Sequence, residues 1–316
     1  MTSALVAATI AALSFTSHTD TTVTVAQGTR LELENFGGDV AVETWAKNSV
    51  RVEAEHGSRT DIVVKRDGTS LRLDAESRHG GPAEVDYHLT IPTWMAIHVS
   101  GIYADVSVKG SRGEVRVETV QGSVECTGGR GFVSLSSVDG DVSLSDATGH
   151  IELNAVNDGV TVKNVEGELQ VQGVNGDLDL SDVRCTMVDA STVNGGILFR
   201  GALRSDGRYS LTTHSGDIAV AVPDKSNLTV SVATFSGDFD SSFPIKLTET
   251  KKGRRFKFTL GNGSGQLELE SFEGTIRLAR PGEKLDGEDA DAGDKQKDKN
   301  KDKNKDKGEE DDDGDH

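Results

Sequence analysis

Cysteine, proline, aromatic rings and positive charge are all in short supply in this chain of 316 residues. Two Cys exclude a disulfide scaffold and a cysteine-rich zinc site. Lys and Arg number 34 against 52 Asp and Glu, a formal net charge of −18. That balance argues against nucleic acid as a partner, because phosphate binding rests on clustered Lys and Arg. The longest uncharged, mostly apolar run, Ala4 to Phe15, is too short to cross a bilayer as a helix, so no transmembrane span is expected. Apolar residues make up only 34%, but 36 Gly bring the composition close to that of an ordinary globular protein. The length suffices for a sizeable core or two domains. No cofactor motif and no reaction signature stands out, so neither a cofactor nor a catalytic residue is assigned.

The two ends differ from the middle. Ala4 to Phe15 suits the apolar region of a secretory signal, with a small-x-small site at Ala12-Leu13-Ser14. Residues 1–17 are therefore read as a signal peptide and the protein as exported: periplasmic, cell-surface or extracellular. No Lys or Arg precedes the run, which leaves a buried first strand in an intracellular scaffold as the other reading. Residues 283–316 hold 15 acids and 8 lysines, a net of −7 in repeats of Lys-Asp-Lys-Asn, leaving −11 on residues 1–282. With almost no apolar groups to offset ordering entropy, this tail is expected to be disordered.

A nine-residue repeat organises the middle. Its glycine position falls on Gly113, Gly122, Gly131, Gly140, Gly149, Asp158, Gly167 and Gly176, with the glycine displaced by one place to Gly159 at the sixth copy. The beat loosens but persists at Gly195, Gly207, Gly216, Gly237, Gly265 and Gly274, and an upstream pair stands at Thr29 and Gly38. Each copy, such as Gly140-Asp141-Val142-Ser143-Leu144, alternates apolar and polar residues with period two, which predicts a strand ending at a glycine corner. Asn-Gly and Asp-Gly corners also suit hairpins, but a flat meander would leave its Val/Leu face wet, with no amphipathic helix to cover it. Winding two copies into one 18-residue coil sets two apolar faces about 10 Å apart. The fold expected is all-β: a parallel β-solenoid over 104–282, with residues 18–103 as an irregular β N-terminal cap.

The 18-residue register makes further predictions. Asp139, Asn157, Asn175 and Asn194 fall at one corner, where stacked amides can hydrogen-bond from coil to coil. Cys126 and Cys185 lie about three coils apart, roughly 15 Å at the strand spacing, beyond disulfide reach; both are expected as free thiols. Wider loops are expected near Pro223 to Lys225 and Pro244 to Arg255.

The Gly-Asp-Val-x-Val and Val-x-Gly-Asp-(Leu/Ile)-x-(Leu/Val) copies resemble a bacterial β-strand-repeat family of adhesin-like domains of unknown function, akin to auto-transporter adhesin head domains. The resemblance covers residues from about 29 to 278. It implies an exported or envelope-associated β-helical protein and supplies no catalytic residues.

Function is less legible. A calcium-binding nonapeptide roll shares the period but needs Gly-Gly-x-Gly-x-Asp corners, absent at Asp139-Gly140-Asp141-Val142. Outward acids on one face, Asp141, Asp177, Asp179, Asp217, Asp238 and Asp240, form a lane that could hold divalent cations weakly or simply keep the rod soluble. Asp217 and Asp238 are expected on neighbouring turns. Between residues 104 and 200 there is no Trp and one outward aromatic, Phe132, so an aromatic-walled cleft is not expected. His150 is read as solvent-facing, and Gly261-Asn262-Gly263-Ser264-Gly265 as a turn, not a phosphate loop. The function expected is a non-catalytic interaction surface facing an envelope, matrix or host-surface partner. The alternative is a carbohydrate-active β-helix lyase or hydrolase using surface carboxylates.

Overall fold

A computed structural model describes residues 16–245, 249–251, 254–283 and 285. The expected signal segment up to residue 15 and nearly all of the charged tail lie outside the described residues. All elements are strands, and no helix occurs among the described residues. The expectation of an all-β fold therefore holds, and the shape is solenoid-like.

Two sheets face each other, and from Ala96–Tyr103 to Ile218–Ala221 the chain passes alternately from one to the other. Val115–Gln121 lies in one sheet and Val124–Gly128 in the other; each pairs in parallel with the strand one layer on, Val115 opposite Val133 and Val124 opposite Val142. The partners are 18 residues apart through Val160 opposite Leu178. The offset grows to 19 at Leu178 opposite Ile197 and to 21 at Met187 opposite Arg208, where the glycine beat also loosens. Val160–Gly173 is one continuous strand that belongs to both sheets.

Alternation explains the core. Each strand of the regular zone points two apolar side chains inward and the polar residues that alternate with them, mostly Ser, Thr, Glu and Asp, outward. One layer thus fills its interior with four side chains, as Val115, Val117, Val124 and Cys126 do, all at 1% exposure or less. Burying each contributes about 1.5–3 kcal/mol. Tyr87, Phe199, Tyr209 and Phe258 are the largest fully buried rings.

Both ends are built by excursions of the chain. Arg30–Gly37 and Val40–Trp45 form a layer directly beneath Ala96–Tyr103 and Val106–Ser111, Leu31 opposite Ile97 and Val40 opposite Val106. Residue 103 therefore marks no boundary in the sheets. The intervening segment covers that layer from outside: Ser70–Ser77 and Val85–Pro92 pair with it in parallel, antiparallel strands Thr60–Asp67 and Ser49–Gly57 follow, and the first strand, Thr16–Thr24, pairs with the last of these. At the other end Leu228–Thr234 lies outside Gly265–Glu273, although it comes first in the chain. Arg254–Leu260 and Glu249–Lys251 close that edge antiparallel.

Cys126 and Cys185 are buried and free. Burial pushes both thiols up to about 12. Since the thiolate is the nucleophile, the native protein should not react with an aromatic disulfide reagent at pH 8 on the minute scale. The denatured chain should titrate two thiols. Rapid release of chromophore by the folded protein would contradict this packing.

Candidate functional site

The corner that leads from the first-described sheet into the other carries the most regular surface of the molecule. Four columns of side chains run along it. The innermost is hydroxyl-bearing and buried: Thr119, Ser137, Thr192, Thr213 and Ser271. These hydroxyls donate to corner carbonyls one layer back, Ser137 Oγ to Gly122 O at 2.8 Å, Thr213 Oγ1 to Gly195 O at 2.9 Å and Ser271 Oγ to Gly216 O at 3.0 Å. The same carbonyls account for the glycine column, because a Cβ on Gly140 would lie 2.3 Å from Gly122 O.

Between hydroxyl and glycine, two residues per layer face solvent. One column is apolar but for one histidine: Phe36, Ile102, Val120, Val138, Val156, Val174, Val193, His214, Phe272 and Phe235 occupy equivalent places in successive layers. Val156 is half-buried, and the rest of the column is exposed, up to 73% at Phe235. Rings gather at its ends. Phe235 stacks on Phe272 at 4.6 Å, Phe272 on His214 at 4.7 Å, and Phe36 meets Tyr103 edge-on at 5.5 Å. The adjacent column is the amide ladder: Asn194 Nδ2 donates to Asn175 Oδ1 at 3.0 Å, and Asn175 Nδ2 to Asn157 Oδ1 at 3.2 Å.

Just past the glycines stands the acidic lane, and its members are engaged within the fold. Asp141 accepts Gly159 N–H at 3.1 Å, Asp177 accepts Gly196 N–H at 2.7 Å and Asp217 accepts Thr275 N–H at 2.6 Å. Each carboxylate thus caps a backbone donor of the next layer, in alternate layers. Asp179 receives Ser181 Oγ at 2.7 Å and lies 3.5 Å from Arg200, and Asp240 lies 3.7 Å from Arg277. Asp217 and Asp238 are not on neighbouring turns: Thr275 intervenes, because Ile276–Ala279 pairs with both Ile218–Ala221 and Phe239–Ser241. The returning strand, which enters after a long excursion, displaced the register counted along the sequence. A groove of about 410 Å³ brings Asp177, Asp179 and Asp217 together and leaves Asp141, Asp238 and Asp240 elsewhere.

His150 is on the outer face, as expected, paired with Glu152 at 3.0 Å and Glu168 at 3.2 Å. Those carboxylates, Glu152 foremost, raise its pKa above the ordinary imidazole value. The one cluster with metal-ligand spacing among the described residues is His18, Asp20 and Glu53. Arg51 sits within it, 2.8 Å from Asp20 and 2.9 Å from Glu53, and supplies the neutralising charge itself.

Sequence reasoning missed the apolar column, although its signal was the Val of Val-x-Gly. In alternate copies that residue turns outward, as at Val120 and Val138, while its counterparts Ala147 and Val165 are buried at the opposite corner. No helix among the described residues is long and apolar enough to cross a membrane.

The family model described as Toastrack DUF4097 matches residues 10–279. No curated protein matches the chain. Among solved structures, the chain is similar to a candidate adhesin from Parabacteroides distasonis ATCC 8503, at 11% identity, covering 83% of this chain and 97% of that one, with a TM-score of 0.42. A candidate lipid-binding protein from the same organism shows 11% identity, 84% and 97% coverage and a TM-score of 0.40. A candidate adhesin from Bacteroides fragilis NCTC 9343 shows 14% identity, 83% and 97% coverage and a TM-score of 0.34.

Proposed function

We propose, for a chain that belongs to the Toastrack DUF4097 family, an exported, adhesin-like role: a non-catalytic parallel β-solenoid, covered at its ends, that holds a long surface against an envelope or matrix partner. The observation that carries this reading is the exposed apolar column from Phe36 to Phe235. In-register layers convert one outward position into a continuous ridge, about 4.8 Å per step. Apolar side chains aligned in this way along a strongly acidic protein are the kind of surface that contact with a partner removes from water. The carboxylates that an enzymatic reading would use are instead engaged, Asp141, Asp177 and Asp217 with backbone N–H groups and Asp179 and Asp240 with arginines.

The test is co-sedimentation of the full chain with native cell-envelope fractions. The double variant F235S/F272S removes the stacked rings at the most exposed end of the ridge. Surface substitutions of this kind leave stability within about 0.5 kcal/mol, while retention by the envelope fraction should fall at least about tenfold, the equivalent of 1.4 kcal/mol. Retention equal to that of the wild type would refute the ridge as the contact surface.

A further inference from the structure

We propose that a second surface, on the outer face of the sheet containing Val115–Gln121, is a binding groove for an anionic polysaccharide. The proposal goes beyond the ridge reading above: it concerns a separate surface and names a ligand class for it. The groove has a volume of about 670 Å³ and is lined by Arg30, Arg112, Arg116 and Arg130 together with Trp94 and Phe132. That volume lies within the usual range for ligand sites. Glu114 is the one carboxylate in its lining.

Charge is the first argument. In a chain of net −18, four guanidinium groups converge on a groove with a single acid. Several arginines elsewhere sit against carboxylates, as Arg51, Arg72, Arg78, Arg204 and Arg280 do at 2.7–3.0 Å, though among the described residues Arg59, Arg66, Arg184, Arg208 and Arg255 do not. Among the described residues no carboxylate pairs with Arg30, Arg112, Arg116 or Arg130. Arg112 and Arg130 lie in neighbouring layers at one corner: Arg130 N–H donates to the carbonyl of Gly113, next to Arg112, and Arg112 N–H to that of Thr93, next to Trp94. Guanidinium groups gathered in one groove repel one another, which is a cost to the fold. A bound anion would reverse the sign of the effect.

Geometry is the second argument. The groove crosses four layers, from Arg30 through Trp94 and Arg112 to Arg130, and therefore extends roughly 14 Å along the stack. A polymer of sugars that each bear an anion, running along the stack, meets guanidinium groups in three of the four layers, and Arg binds carboxylate and sulfate oxygens in bidentate fashion. The aromatics have separate tasks. The Arg116 guanidinium lies over the Phe132 ring at 5.2 Å, and Phe132 stacks on His150 at 5.9 Å, so Phe132 positions Arg116. Trp94 is half-buried, and its Nε1–H donates to Asn48 Oδ1 at 3.1 Å, which fixes the indole as a platform for a sugar face. His98 pairs in register with Arg116 on one side and Glu32 on the other and marks where the basic surface ends.

Isothermal titration of the full chain decides the matter, with oligogalacturonate and heparin oligosaccharides as carboxylate and sulfate probes. A neutral cello-oligosaccharide, inorganic phosphate and phosphatidylglycerol vesicles serve as comparisons. Binding of one or both anionic glycans is expected, weakening as salt rises, with no heat from the neutral glycan. The variant R112S/R130S should lose about 10–100-fold in affinity, the range for hydrogen bonds to charged groups, at an unchanged unfolding midpoint. W94A should weaken binding while leaving its salt dependence intact. Failure of both anionic glycans to bind, equal affinity of R112S/R130S, or equal binding of vesicles or phosphate would each overturn the proposal. F235S/F272S should bind the glycan normally, so loss of the groove reading leaves the ridge reading standing, and the converse also holds.

Discussion

Gly167→Ala is expected to lower stability by about 3–5 kcal/mol, through overpacking of about 1–3 kcal/mol and backbone strain of similar size. Gly167 has φ of +125°, and a Cβ there would lie 2.1 Å from the carbonyl oxygen of Gly149, its counterpart one layer back. The obstruction is main chain at the interior of a parallel stack, so no rotamer change relieves it. Gly28 separates strain from space. Its φ is +88°, but a Cβ there meets nothing within 4 Å. Gly28→Ala should therefore cost only the conformational part, about 1–2 kcal/mol. Urea unfolding followed by tryptophan fluorescence compares the two. Similar midpoints for both variants would show that interlayer spacing is soft and that the glycine beat has another cause.

The second large effect is expected at Tyr209. This residue is 1% exposed and meets Phe199 edge-on at 5.9 Å. Its hydroxyl accepts Arg204 N–H at 2.8 Å and lies within donating distance of Ala202 O at 3.0 Å and Cys185 O at 3.1 Å. Ala202 and Arg204 belong to the irregular connection where the layer offset widens to 21 residues, and Cys185 to the corner one layer back. Tyr209 thus fills the core and ties down the loop that breaks the repeat. Tyr209→Ala should cost about 4–5 kcal/mol, in the range of large aromatic truncations. Tyr209→Phe keeps the ring and leaves the loop groups without their partner, about 1–3 kcal/mol. A Phe variant as unstable as the Ala variant would place the whole contribution in the hydroxyl and contradict the packing account.

What could be read from the residues, and what could not, follows from which interactions are periodic. Val115, Val117, Val133 and Leu135 face inward because alternation is a property of a single strand, visible without knowing its partner. The amide ladder at Asn157, Asn175 and Asn194 was legible because its members share the 18–19-residue spacing of the layers. Layer order at the ends was not legible. Nothing local in Gly265–Glu273 says that it lies between Arg208–Ser215 and Leu228–Thr234, which is why Asp217 and Asp238 were assigned to adjacent turns. The arginine groove was half legible. Arg112 and Arg130 are 18 apart, but Arg30 reaches them only because Ala96–Tyr103 stacks on Arg30–Gly37 with a 66-residue offset. The lane of aspartates misled for a different reason. Alternation marks Asp141 and Asp177 as outward, yet a short carboxylate at a corner can turn back onto the N–H above it.

The inverted order of the last strands bears on biosynthesis. Residues 228–241 leave the ribosome well before residues 265–279, yet they occupy the outer berth, and the later segment must slot inside them. The tip therefore cannot be finished in step with translation, and its closure waits until residues 265–279 have emerged. A chain cut short before residue 265 would not be a rod one step shorter. It would lack its keystone, with a terminal flap left hanging over an open sheet edge.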